Sequence, residues 1–79
     1  MRRRSRNVTR FSAWVGDVSV AGVVDVLNAY TTITPAAVYS WLSGDREPRL
    51  STAAYIVRAS GGKVTLEDIV QHREEVKHH

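Results

Sequence analysis

Ile33-Thr34-Pro35-Ala36-Ala37-Val38-Tyr39-Ser40-Trp41-Leu42-Ser43-Gly44-Asp45-Arg46-Glu47-Pro48 is the stretch on which the fold turns. Thr34 offers a hydroxyl that accepts from free backbone N–H groups at a helix start, and Pro35 suits the first helical position, where its missing N–H costs nothing. Gly44 suits the end, because it enters the left-handed conformation without a steric penalty. Within the helix so bounded, Val38 and Trp41 lie three apart and share one face, which is the inward one. Ala37 allows close approach to the preceding helix. Thr34, Ala36, Tyr39, Ser40 and Ser43 are then left on or near the opposite face. That outer face carries no charge, and its side chains are small apart from one tyrosine.

The same start signal recurs along the chain as a hydroxyl residue preceded by an apolar one and followed four positions later by another. The sets are Val8-Thr9 with Ala13, Val18-Ser19 with Val23, Ile33-Thr34 with Val38, Leu50-Ser51 with Tyr55, and Val64-Thr65 with Ile69. In each, the hydroxyl caps and the apolar pair staples the first turn. Asp68 completes a capping box with Thr65, while Gly16, Gly44 and Gly61-Gly62 read as stops. Val18, Val20, Val23, Val24 and Val26 raise the alternative of a strand. Their spacing decides against it: Val20, Val23, Val24 and Leu27 fall at i, i+3, i+4 and i+7. Ala53, Ile56 and Val57 share a face in the same way, as do Leu66, Ile69 and Val70. The expectation is an all-α domain of five short helices, over roughly 9–15, 19–30, 34–43, 51–60 and 65–76.

The chain has 79 residues and no cysteine, so an apolar core without disulfides or a cysteine-held metal must stabilise it. Trp14, Val38, Trp41 and Tyr55 are expected in that core. No apolar run approaches the ~18 residues of a membrane span, and no apolar signal core follows the first arginines, so a cytoplasmic or nucleoid-associated protein is expected. The formal net charge of +3 is unevenly spread. Five of the eleven basic residues, Arg2, Arg3, Arg4, Arg6 and Arg10, lie in the first ten positions with no acid among them. The other six share the chain with all eight acids. An arginine arm on a near-neutral body suits a polyanion, because each phosphate neutralised releases a counterion from nucleic acid. The plainer reading is a solubilising tail. Residues 1–8 are expected to form a flexible basic arm, 9–77 the domain, and 78–79 a disordered end or the remnant of a tag.

The run from Ile33 to Val38, followed by Trp41, Gly44, Arg46 and Pro48, resembles the recognition helix and following loop of Cro and lambda-repressor-like helix-turn-helix regulators. The segment from Gly61 to Ile69 looks like the end of Cro-type domains, so the resemblance spans about Thr9 to Val70. It implies a helix pair in which residues from Ser19 to about Asn28 cross the DNA backbone while the Thr34 helix enters the major groove. On this resemblance Thr34, Ala36, Tyr39, Ser40 and Ser43 match base-reading positions, and Arg46 and Arg49 grip phosphates. The arginine arm would favour a narrow minor groove. Two departures stand out. Asn28 to Ile33 make a longer turn than the tight glycine turn usual in the family, and the helix lacks a long charged side chain to read bases.

His72, His78 and His79 lack a second ligand set at helical spacing, so no metal is expected. Glu74 and Glu75 diverge on a helix, and Glu67 and Asp68 belong to a cap, so no catalytic carboxylate pair is read. Without a phosphate loop or an activated nucleophile, neither an enzyme nor a cofactor or small-molecule ligand is expected. The resulting expectation is a repressor, of phage, prophage or similar origin, acting by operator occupancy. It would bind a pseudo-palindromic double-stranded operator as a homodimer, with the Leu66 to Val76 helix as the dimer surface. The rival is a protein-interaction module, such as an antitoxin or a regulator that binds another protein, presenting Tyr39 and the Val76 end.

Overall fold

The Thr9 hydroxyl accepts from the Ser12 N–H at 3.1 Å while the Ser12 hydroxyl accepts from the Thr9 N–H at 2.9 Å, and this reciprocal cap starts helix α1, Arg10–Leu27. The computed structural model describes residues 9–77. Over them it continues with α2 (Pro35–Ser43), α3 (Leu50–Ala59) and α4 (Leu66–Lys77). All regular structure among the described residues is helical, but it forms four elements where the sequence suggests five. The expected arm and end, with Arg2, Arg3, Arg4 and Arg6, lie outside the described residues, as do His78 and His79.

The merger of the first two expected helices has a local cause. Gly16, read as a stop, stays helical, and no loop follows it. The chain instead turns through one residue, Ser19, whose φ of 72° and ψ of 160° interrupt α1. Its hydroxyl then accepts from the Gly22 N–H at 3.1 Å, so the expected cap forms inside a bent helix. The bend lets two apolar faces reach one core: Phe11, Trp14 and Val15 before it, Val23 and Leu27 after it.

The third boundary also differs from expectation. α3 starts at Leu50, with Arg49 as a cap that makes no side-chain hydrogen bond, so Ser51 lies inside the helix. Leu50 is 78% exposed and does not staple the first turn to Tyr55. Arg49, just after Pro48, has extended backbone (φ −59°, ψ 157°), and the Ala53 N–H donates to its carbonyl at 2.8 Å. At the next start, Thr65 and Asp68 exchange hydrogen bonds of 2.9 and 3.1 Å as the capping box requires.

α1 packs against each of the other three helices, and so does α4. The core where they meet holds Phe11, Trp14, Val23, Leu27, Val38, Trp41, Ile56, Val64 and Ile69. Tyr55 is half-buried at its edge. The turn between α3 and α4 closes over Ser60, whose buried hydroxyl donates to the Val57 carbonyl at 3.0 Å and accepts from the Val64 N–H at 3.1 Å. Gly61 (φ 67°) and Gly62 (φ 86°) complete that turn in the left-handed region. No helix of the described residues is long and apolar enough to cross a membrane.

Candidate nucleic-acid interface

The site is built on α2, and the geometry of that short helix follows from its own residues. Thr34 accepts from the Ala37 N–H at 3.3 Å, Pro35 takes the first turn, and Gly44 ends the helix at φ 84°. Val38 and Trp41 are buried and hold the helix from behind. With that side fixed, Ala36, Tyr39 and Ser43, at i, i+3 and i+7, form one exposed stripe along the outside. Tyr39 is 59% exposed. Ser40 is half-buried at the margin of the stripe, and Thr34 is exposed at its beginning.

The last carbonyls of a helix have no partner within it, and three of those at the end of α2 find one outside its ladder. The Ser40 carbonyl accepts from the Arg46 N–H at 3.3 Å and from the Ser43 hydroxyl at 3.1 Å. The Trp41 carbonyl accepts from the Gly44 N–H at 3.3 Å. The Leu42 carbonyl receives a side chain from across the fold: His72 Nε2 lies 3.0 Å away. A carbonyl can only accept, so Nε2 carries the proton, and Nδ1 is left to accept from the Thr9 hydroxyl at 2.6 Å. His72 is 3% exposed and meets the Phe11 ring edge-on at 5.1 Å between centroids. One imidazole thus joins the start of α1, the end of α2 and the middle of α4.

His72 is the positioning residue that sequence reasoning missed. A histidine read only for metal ligation invites no other question, yet its place three residues after Ile69 puts it on the core-facing side of α4.

The long turn before α2 is braced as well. The Tyr30 and Thr31 N–H groups donate to the Leu27 carbonyl, each at 2.9 Å, and the Ile33 N–H donates to Asn28 Oδ1 at 3.0 Å. Tyr30 stacks on Tyr55, with centroids 5.1 Å apart and planes inclined by 11°. The additional residues are therefore tied back to α1 and α3.

Thr34, Ala36 and Ser40 line a groove together with Arg46 and Arg49, so five of the singled-out residues meet there. Tyr39 and Ser43 lie on the other side of Ser40, in an adjoining depression with Leu42 and Asp45. Arg46 and Arg49 are exposed, and neither guanidinium engages a carboxylate among the described residues. Glu47, between them, is paired with Arg73 at 2.8 Å, which reduces its repulsion of an approaching anion. Arg10 does not join this face. It lines a separate depression with Trp14, Asp17 and Lys63. No family model, curated protein or solved structure matches the chain.

Proposed function

We propose that this chain binds double-stranded DNA through the outer face of α2 and regulates transcription by occupying an operator, in the manner of Cro-type repressors. One observation carries the reading: a short helix pinned from behind by Val38 and Trp41 presents Ala36, Tyr39 and Ser43 outward, with Arg46 and Arg49 exposed just past its end. An uncharged, narrow helix face can enter a major groove, and flanking guanidiniums hold phosphates and fix register. The arginines at positions 2, 3, 4 and 6 add charge suited to the same polyanion.

A single nine-residue helix covers few base pairs, so the proposal includes a dimer on a pseudo-palindrome with half-site centres about 34 Å apart. Exposed Leu50, Leu66 and Val70 surround an apolar groove floored by Pro48, Ala53 and Ile69, and this is the surface proposed for the second copy. Arg49 borders both grooves, so a dimer contact here lies beside the DNA-facing side.

Selection from a random duplex library with the whole chain, at low salt, tests the reading. Enrichment of one two-fold-related sequence is the expected result. Equal recovery of all sequences would reduce the protein to a non-specific polyanion binder, and recovery of none would reject DNA as the ligand.

A further inference from the structure

The resemblance to Cro-type regulators implies base reading at hydroxyl-bearing positions of α2, but in the folded chain the hydroxyls at its two ends make local bonds. Thr34 Oγ1 accepts from the Ala37 N–H. Ser43 Oγ donates to the Ser40 carbonyl at 3.1 Å and accepts from the Asp45 N–H at 3.4 Å. Ser40 is half-buried at the margin of the stripe. Between Thr34 and Ser43 there is no arginine, lysine, asparagine, glutamine, aspartate or glutamate, the side chains that make paired hydrogen bonds to purines or accept from cytosine. A recognition helix presents its N-terminal residues to the bases. At that end of α2 the exposed groups are Pro35 and the Ala36 methyl, with the Thr34 side chain beside them.

We infer that this face selects its duplex by the 5-methyl groups of pyrimidines, with Ala36 as the principal contact. The inference rests on the DNA-binding reading given above and specifies its chemistry. Major-groove thymine is marked by a methyl group, which an apolar side chain distinguishes from cytosine and from uracil. Because the Ala36 side chain is a single methyl, the helix backbone must approach the bases closely, and the absence of any bulky charged group on the outer stripe permits this. Tyr39 supplies the longest side chain of the stripe, and its phenol is suited to a phosphate or sugar at the edge of the groove.

The test uses the duplex that the library selection enriches, with thymine replaced by uracil one position at a time and cytosine replaced by 5-methylcytosine. Loss of one buried methyl is expected to weaken binding about three- to fivefold at one or two positions in each half-site. Replacing Ala36 with serine or with glycine should abolish the uracil penalty at one of these positions. Two variants are used because glycine also loosens the first turn. Uracil substitution without effect overturns the methyl assignment while leaving DNA binding intact. A penalty that persists unchanged in both Ala36→Ser and Ala36→Gly assigns the effect to DNA shape and also overturns it. If no duplex enriches at all, the inference and the reading beneath it fail together.

Discussion

Replacing His72 with alanine tests how α2 is held. The substitution removes the bonds to the Thr9 hydroxyl and the Leu42 carbonyl, together with the edge-on contact to Phe11. At about 1 kcal/mol for each hydrogen bond and about 1 kcal/mol for the lost aromatic packing, the expected destabilisation is about 3 kcal/mol. For a domain of this size that lowers the melting temperature by about 12–24 °C. Thermal unfolding followed by circular dichroism and by tryptophan fluorescence reads the effect, since Trp14 and Trp41 are both in the core. His72→Gln, which can restore a donor toward Leu42, should recover about 1 kcal/mol of the loss. A His72→Ala protein melting within about 3 °C of the parent would refute the bridging role, since even one such bond is worth more.

Other substitutions probe separate parts of the fold. Ser19→Gly should stabilise the domain by about 1 kcal/mol, because it relieves a left-handed φ worth about 1–3 kcal/mol and glycine caps almost as well as serine. Ser19→Ala keeps the strain and loses the cap, so it should destabilise by about 1 kcal/mol; denaturant midpoints that rank the two variants the other way would contradict the account of the bend. Trp41→Ala should lose about 3–5 kcal/mol, and a well-folded variant with unchanged urea midpoint would remove Trp41 from its anchoring role. Tyr39→Ala, at an exposed site, should change stability by less than about 0.5 kcal/mol while lowering duplex affinity. Deleting residues 1–6, with four arginines, should flatten the plot of log affinity against log salt by up to about 3–4 units; an unaltered slope would show that the arm leaves phosphates untouched.

Where structure depends on neighbours in the chain, it was legible. Thr34, Pro35 and Gly44 bound α2 through interactions within a turn, and the three-residue spacing of Val38 and Trp41 identified its buried side. The same holds for the box of Thr65 and Asp68. Features decided at a distance were not legible. Whether the chain between Gly16 and Ser19 opens into a loop or bends at one residue depends on how Phe11 and Leu27 meet the rest of the core. The partners of His72 lie 63 and 30 residues away. At α3, a hydroxyl after an apolar residue imitates a cap, but the backbone after Pro48 puts the cap at Arg49, two residues earlier. In the site, sequence identified the outward stripe and the Thr34 cap, while the bonds of the Ser43 hydroxyl to the Ser40 carbonyl and the Asp45 N–H emerged only with the helix end in place.

Amide chemical shifts of the isotopically labelled whole chain, followed while an enriched duplex is titrated in, examine the docking surface residue by residue. Shifts concentrated on Ala36, Tyr39 and Ser43, with Arg46 and Arg49 beside them, are the result expected if α2 enters the groove. A spectrum in which those amides stay still, while resonances elsewhere move or none move at all, would contradict it.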